Sequence, residues 1–234
     1  MTAAELLAAL FPSGHSVREE GGLLFGTGPA AGGEVAVVGT SGGLEVGVES
    51  ALALSAFVLE VARRHPGRPL LSLLDSRGQR MSRRDEILGL AGYLAHLSRA
   101  VEVTRRRGHR VIAVVYGEAS SGSALALGFL ADEVHAVAGA RISVMNLPAM
   151  ARVTKIPLDR LEEASRGSPV LAPGLESYVR LGGVESIWQP PFSKALAEAL
   201  ARPPGPDRRS ERGQERGGRL LALSVRERVR EGEP

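Results

Sequence analysis

The sequence predicts an α/β domain in which strands buried on both faces alternate with helices. Residues 69–74 and 110–116 are short, largely apolar runs, as expected of strands that are covered on both faces of a sheet. Each run ends in a loop rich in small or polar residues and is followed by a helical pattern. A chain of 234 residues can bury a core of this kind without a metal or a disulfide. We therefore expect one domain over residues 1–201, followed by a tail.

The other elements follow from local sequence patterns. From Val48 to Arg64 the apolar residues recur at helical spacing, and His65, Pro66 and Gly67 end the helix. Further strands are expected at residues 23–25, 34–38, 133–138 and 141–145. Further helices are expected near the N-terminus and at residues 84–107, 123–130, 146–152, 157–166 and 192–201. The recurrence of strand, loop, helix and strand supports an α/β domain.

The tail differs from the domain in composition and charge. Residues 202–234 are rich in Pro, Gly, Arg and Glu, so we expect a flexible, disordered segment, although residues 220–229 could form a short amphipathic turn on a partner. The tail holds nine Arg against six Asp and Glu, whereas residues 1–201 hold twenty basic and twenty acidic side chains. Because the excess charge lies outside the domain and aromatic residues make up only 4% of the chain, we expect no nucleic-acid partner.

Several classes of site are excluded by residues that the chain lacks. It has no cysteine, which rules out disulfides, thiolate catalysis and cysteine-ligated zinc. Its five His residues have no HxxxH spacing, and no nucleotide-binding glycine motif is present, so we expect neither a metal nor a directly bound cofactor. The N-terminus has no basic segment before its apolar stretch, and no run reaches the roughly 18 apolar residues of a membrane span. We expect a cytoplasmic protein.

Two loops are candidates for chemistry. Residues 75–79 and 117–122 each follow a buried strand and precede a helix. Backbone N–H groups at a helix start lack intrahelical partners, and small residues let a ligand approach them closely. Two such loops side by side can direct a pair of N–H groups at one oxygen, which is an oxyanion hole. The alternative is that both glycine turns serve only packing.

The same loops carry a resemblance to a known family. The run LLDSRGQ (73–79), followed by RRDE (83–86), resembles the DxxGQ…RREE stretch of malonate decarboxylase gamma subunits. The run GEASSGSALA (117–126) is similar to that family's second glycine loop and to the GEGGSGGALA stretch of acetyl-CoA carboxylase carboxyltransferase alpha subunits. MARVT (150–154) and YVRLGGV (178–184) resemble later family segments.

The resemblance covers about residues 34–190 and does not include the charged tail. Two places depart from the family pattern. Ser76 and Arg77 replace the usual Val-Pro or Thr-Pro, and the run NLP (146–148) differs from the usual residues. These departures affect the expected placement of substrate more than the expected fold.

The resemblance implies a crotonase-like fold, shared with Clp proteases, that is built of repeated ββα units. It also implies a gamma subunit that acts with a beta subunit to decarboxylate malonyl-S-acyl carrier protein to acetyl-S-acyl carrier protein and CO₂. Such a carboxy-lyase is active only in the heteromeric complex, and its thioester is carried on the prosthetic group of the carrier protein. By analogy with carboxyltransferases, the backbones of Gly78, Gln79, Ser121 and Gly122 would hold the departing carboxylate or CO₂.

Three other readings stay open. A biotin-dependent acyl-CoA carboxyltransferase subunit would have the same fold. A subunit that forms half of the complex as a scaffold, with no catalytic role, would also have it. The superfamily also contains serine peptidases, in which Ser121 would be the nucleophile. Asn146 stands where their catalytic base should be, although His135 on the preceding strand could substitute. Without such a base, the Ser121 hydroxyl cannot be activated.

Overall fold

The computed structural model describes residues 1–30, 32–145, 147–167, 172–203 and 205–232. These residues form two compact units. The first unit consists of Met1–Ile142 and Ser186–Gly205, and the second of Ser143–Glu185 and Pro206–Pro234. Residues of the domain expected over 1–201 therefore occur in both units. Among the described residues, no helix is both long and apolar enough to cross a lipid bilayer.

A mixed β-sheet forms the framework of the first unit. The strands in chain order are β1 (Arg18–Glu20), β2 (Leu23–Ala30), β3 (Gly33–Thr40), β4 (Glu45–Val46), β5 (Leu70–Ser76), β6 (Gly78–Gln79), β7 (Val111–Ser120), β8 (Glu133–Val137), β9 (Arg141–Ser143) and β10 (Ser186–Trp188). The order across the sheet is β1-β2-β3-β5-β7-β8-β10, with β9 beside β7, whereas β4 and β6 pair separately. The first three strands are antiparallel, and β3, β5, β7, β8 and β10 are parallel. The predicted α/β class is confirmed.

Helices of the first unit pack on both faces of this sheet, and the second unit is also largely helical. The helices in chain order are α1 (Ala3–Leu10), α2 (Val48–Arg64), α3 (Arg83–Ile87), α4 (Leu90–Arg106), α5 (Ser121–Ala124), α6 (Leu147–Thr154), α7 (Leu158–Gly167), α8 (Leu175–Arg180), α9 (Phe192–Ala201), α10 (Arg209–Glu215) and α11 (Leu220–Glu231), and a π-helical turn spans Leu125–Phe129. Buried residues of α1 and α9 pack with alternate strand residues such as Val37, Leu71 and Leu73. The intervening residues face the other side, where the Ser72 hydroxyl donates to the Leu127 carbonyl at 3.1 Å.

Local backbone geometry divides two of the expected helices. The helix predicted over 84–107 is split into α3 and α4, because Gly89 takes a left-handed conformation with φ of 78°. The helix predicted over 123–130 is a short α5 followed by the π-helical turn. The strand predicted over 110–116 continues to Ser120, so the expected turn is confined to the step from Ser120 to Ser121.

The carboxylate of Asp75, near the end of β5, ties three segments together. Its Oδ2 accepts from the Gly43 N–H at 3.0 Å, and its Oδ1 accepts from the Glu118 N–H at 2.9 Å. Its own N–H donates to the Thr40 hydroxyl at 3.1 Å. A Cβ on Gly117 would overlap the Asp75 carboxylate. The ends of β3, β5 and β7 are therefore held in one arrangement, and that arrangement requires glycine at 117.

The segment expected to be a disordered tail contains helices α10 and α11. The Arg216 guanidinium donates to the carbonyls of Val179, Val184 and Glu185, each at 2.8 Å. Arg212 forms an ion pair with Glu185. Arginine–carbonyl contacts leave no apolar periodicity in a sequence, which explains why the composition indicated disorder instead.

The arginine contacts of α10 lead to a prediction for stability. We expect deletion of residues 206–234 to lower the melting temperature by about 5 °C or more, because hydrogen bonds from a charged group contribute about 1.5–3 kcal/mol each. Thermal unfolding followed by circular dichroism would measure the change. Deletion from residue 220 onward is the control, since it keeps Arg216 and removes a helix on which Leu221, Val225 and Val229 are exposed. Equal melting temperatures for the two deletions would contradict the prediction.

The packing of Gly117 leads to a second prediction. Gly117→Ala should destabilise the fold by about 1–3 kcal/mol, because the added methyl group displaces the Asp75 carboxylate and leaves two partly buried N–H groups without their acceptor. Gly92→Ala in α4 is the matched control, since a Cβ there meets no atom within 4 Å, and it should be neutral or stabilising. Urea unfolding of both variants checks the difference, and a neutral Gly117→Ala would show that Asp75 does not constrain the strand ends.

Candidate active site

The ends of β5 and β7 meet at one edge of the sheet. The two strands are parallel neighbours, with Ser76 beside Ala119. The segments that follow are in contact, since a Cβ on Gly78 would lie 3.3 Å from the Ser121 Cβ. Ligand sites of open α/β sheets lie outside the carboxyl ends of adjacent strands. The structure thus places the two predicted loops side by side.

The four predicted residues lie together, although not all through their backbones. The Gly122 N–H donates to the side-chain Oε1 of Gln79 at 3.2 Å. The Gly78 N–H donates to the Ser76 hydroxyl at 3.2 Å. Two of the expected oxyanion donors therefore already have acceptors within the chain, and Gln79 takes part through its side chain. The role of these residues as oxyanion donors stays a prediction.

Ser121, the first residue of α5, has a strained backbone directly after the end of β7. Its φ is 56°, a left-handed value that is uncommon for a residue with a side chain. Strained backbone of this kind often occurs at functional sites and is maintained by the surrounding structure. α5 has only four residues and continues into a π-helical turn, so a helix dipole contributes less here than the sequence suggested.

Buried hydroxyl groups link the two loops beneath the site. The Ser76 hydroxyl donates to the Leu44 carbonyl at 2.7 Å and lies 3.0 Å from the Ser123 hydroxyl. The Ser123 hydroxyl donates in turn to the Ser120 carbonyl at 3.2 Å. Sequence reasoning did not identify Ser76 and Ser123 as site-supporting residues. The available signal was a small polar residue close to each glycine turn, which fits many structural roles.

Charged residues fix the chain where it leaves Gln79. The Arg80 guanidinium donates to the Asp85 carboxylate, with Nη2 and Oδ1 separated by 2.8 Å, and also to Glu49 at 3.0 Å. The Ser82 hydroxyl donates to Asp85 at 2.8 Å. Arg80 holds the pKa of Asp85 well below its usual range. This ion pair therefore stabilises the fold above the ordinary carboxyl pKa, and the stabilisation is lost as the pH falls through the lowered pKa.

His135 is engaged away from Ser121. Its Nδ1 lies 3.0 Å from the Ser186 hydroxyl and its Nε2 lies 3.0 Å from the Glu133 carboxylate. Its ring is fully buried and stacks on Trp188, with 4.8 Å between the ring centroids. Both ring nitrogens thus have partners on β8 and β10, which argues against His135 as a base for Ser121.

The acidic partner of His135 belongs to a buried charge cluster. Burial alone would raise the pKa of Glu133, but hydrogen bonds from His135 and Arg202 hold that pKa well below its usual range. Glu133 also accepts from Arg110 at 2.6 Å. The cluster is ordinary charge pairing next to Ile112 near the start of β7, at the opposite end of that strand from Ser120. Asn146, the residue at the position of the peptidase base, lies outside the described residues.

Three comparisons relate the chain to known proteins. The family model for the malonate decarboxylase gamma subunit matches residues 41–233. The malonyl-S-ACP:biotin-protein carboxyltransferase of Malonomonas rubra is 31% identical over 202 residues, which cover 78% of this chain and 69% of the relative. A crystal structure of a Pseudomonas malonate decarboxylase hetero-tetramer in complex with coenzyme A contains a chain that is 27% identical, with a TM-score of 0.80 and 97% of each chain covered.

A more distant likeness bears on the fold alone. The transcarboxylase 12S core is 20% identical, with a TM-score of 0.71, and the match covers 87% of this chain and 43% of that chain. Together with the matching chain of the Pseudomonas hetero-tetramer, it confirms the predicted crotonase-like fold of the carboxyltransferases. The family match extends through the segment that the sequence resemblance had left out, and the chain belongs to the malonate decarboxylase gamma subunit family.

Proposed function

We propose that the chain is the gamma half of a malonate decarboxylase, acting with a beta subunit of the same fold. The reaction converts malonyl-S-acyl carrier protein into acetyl-S-acyl carrier protein and CO₂. Family membership supports this assignment, as does the likeness to a chain of a solved hetero-tetramer. The observation that carries the proposal is the contact between the Gly78–Gln79 segment and the Ser121 turn at one sheet edge.

The chemistry needs hydrogen-bond donors more than a nucleophile. The bond between the carboxylate carbon and C2 of the malonyl group breaks, and its electron pair moves into the thioester as an enolate. CO₂ leaves, and a proton from solvent or a partner group then adds to C2. Donors placed where negative charge develops, at the thioester oxygen, lower the barrier, and removal of one such donor typically costs about 10²–10³ in rate. Donors to the departing carboxylate bind and orient it.

In this proposal the chain faces the carboxylate end of the substrate. Gly78, Gln79, Ser121 and Gly122 hold the departing carboxylate or CO₂, while the beta subunit binds most of the thioester. The reaction requires no cofactor on this chain, because the carrier protein supplies the prosthetic group that bears the thioester. A cytoplasmic location stays a prediction.

A second candidate function is carboxyl transfer to biotin. The Malonomonas rubra relative is described as a malonyl-S-ACP:biotin-protein carboxyltransferase, so the same fold supports both reactions. In that case the carboxylate released from malonyl passes to a biotinyl group instead of leaving as CO₂. Sensitivity of the activity to avidin separates the two functions.

Reconstitution tests the proposed function directly. The purified chain alone should not release CO₂ from malonyl-S-acyl carrier protein, because the carboxylate-facing loops are only half of the site. Addition of the beta subunit should produce CO₂ and acetyl thioester in equal amounts, measured by radiolabelled CO₂ release and mass spectrometry of the carrier. Avidin should have no effect. Strict dependence on a biotinyl protein would favour carboxyl transfer, and robust turnover by the chain alone would refute the two-subunit site.

Two substitutions in the second loop distinguish backbone donors from a nucleophilic hydroxyl. Ser121→Gly removes the hydroxyl and suits the left-handed backbone at this position, so the reconstituted complex should retain activity within about tenfold. Gly122→Val should lower kcat/KM by about 10²-fold, because a Cβ there already lies 3.6 Å from the Gln79 Oε1 and the added methyl groups displace that amide.

The same pair gives a clear contrary result. A catalytic Ser121 predicts an inactive glycine variant and covalent labelling of Ser121 by a fluorophosphonate. Circular dichroism of both variants confirms that they are folded. Near-normal activity in both variants would exclude the second loop from the active site. It would favour the interpretation that the gamma subunit is a scaffold without a catalytic role.

A further inference from the structure

We infer that the side-chain amide of Gln79 donates a hydrogen bond to the carboxylate of the malonyl group, a role that rests on the proposed decarboxylation. The sequence suggested only the backbone of Gln79 as a donor. The structure assigns the function to Nε2 of the side chain through three observations. These are the fixed orientation of the amide, the open position of Nε2, and the rigid backbone that carries the residue.

The orientation of the amide is set by Gly122. The Gly122 N–H is a donor, so its partner 3.2 Å away must be the amide oxygen of Gln79 and not the nitrogen. Fixing Oε1 directs Nε2 to the opposite end of the planar amide. The bond from Gly122 also polarises the amide, which makes Nε2 a better donor. A carboxamide bonded in this way has two N–H groups left to offer.

Nε2 is available to a ligand. Gln79 is neither fully buried nor fully exposed, and no group in the described part of the chain accepts a hydrogen bond from its Nε2. The amide of Gln79 is therefore partly exposed at the two-loop site, with its oxygen bonded to Gly122 and its N–H donors left for a ligand. An acceptor-only group such as a carboxylate complements it, whereas a cation does not.

The backbone of Gln79 is held on both sides. Gln79 pairs with Val46 in the two-stranded sheet of β4 and β6, and the Arg80 N–H donates to the Val46 carbonyl at 2.9 Å. Immediately beyond, the Arg80 guanidinium is clamped by the buried Asp85 carboxylate. Donors on rigid elements are placed more accurately than donors on loops. Gln79 thus meets the positional requirement for a group that binds substrate.

A neutral donor suits this reaction. The carboxylate loses its charge as CO₂ forms, so a cation at this position would stabilise the bound substrate more than the transition state and slow the reaction. An amide N–H orients the carboxylate with less ground-state stabilisation and allows neutral CO₂ to leave. The nearby Arg80 is withheld by its own carboxylate partners, Asp85 and Glu49.

Alternatively, Gln79 only links the two loops through its hydrogen bond with Gly122. The variant Gln79→Glu distinguishes this linking role from the role of a donor to substrate. A Glu side chain keeps an oxygen for the Gly122 N–H, so a linking role survives. Its second oxygen replaces the Nε2 donor with a negative charge, so a donor role is lost. In the reconstituted complex we expect kcat/KM for the malonyl thioester to fall at least about 10²-fold, because a hydrogen bond to the substrate carboxylate is replaced by repulsion between two carboxylates. The melting temperature should be unchanged. The Gln79→Met variant removes the donor without adding a negative charge. Its loss in kcat/KM should therefore be no larger than that of the Gln79→Glu variant.

A pH profile and a binding measurement supply readouts that a linking role would not change. Protonation of the Glu carboxyl restores a donor, so the activity ratio of the variant to wild type should rise as the pH falls toward the ordinary Glu pKa of about 4.3. Malonate binding to the complex, measured by calorimetry, should weaken at least about tenfold in Gln79→Glu at neutral pH. The exposed Gln189→Glu controls for the added charge and should match wild type.

The outcomes distinguish this inference from the proposed function. A wild-type complex that neither releases CO₂ nor transfers carboxylate overturns the proposed function, and malonate titration still tests Gln79. Absence of malonate binding to wild type, or equal malonate affinity in Gln79→Glu, overturns the inference. An active wild type with Gln79→Glu within a few-fold and Gln79→Met strongly impaired shows that the residue only links the loops.

Discussion

The two hydrogen bonds that the Asp75 carboxylate accepts hold the site together. They join the backbone of Gly43 to that of Glu118, and with them the ends of three neighbouring strands. These N–H groups are partly shielded from water, and such groups are costly to leave without acceptors. Separation of the strand ends would therefore destabilise the fold. The contact of Gly78 with Ser121 depends on this constraint, because β5 and β7 must end at the same level for their exits to meet.

The framework was predictable because parallel strands buried on both faces leave a strong mark in the sequence. Residues 70–76 and 111–116 are almost fully buried, and they overlap the largely apolar runs at residues 69–74 and 110–116 of the sequence. Adjacency of the two loops followed from the same pattern. The hydrogen-bond acceptors of the Gly78 and Gly122 N–H groups could not be predicted, because Ser76 and Gln79 look like ordinary polar loop residues. Their roles arise from contacts between segments more than forty residues apart.

The C-terminal segment shows the opposite case, in which composition gave the wrong expectation about order. Arg216 donates to three backbone carbonyls, and Gly213 packs so closely on Leu181 that a Cβ would overlap its carbonyl. Neither feature needs apolar residues. A segment rich in Arg and Gly therefore satisfies the backbone of its neighbour without the hydrophobic periodicity on which sequence-based assignment depends.

The N–H groups of Gly78 and Gly122 have acceptors within the chain, which explains how the two loops are stable without a ligand. An oxyanion hole with two bare N–H groups would be costly in the absence of substrate. Here Ser76 and Gln79 supply the acceptors for Gly78 and Gly122, so the loops are complete without a ligand. For the second loop, the acceptor is an amide that carries donors at its other end. The Gln79 side chain therefore satisfies the Gly122 N–H and can still donate to a substrate carboxylate. Binding of that carboxylate does not break the hydrogen bond that links the two loops.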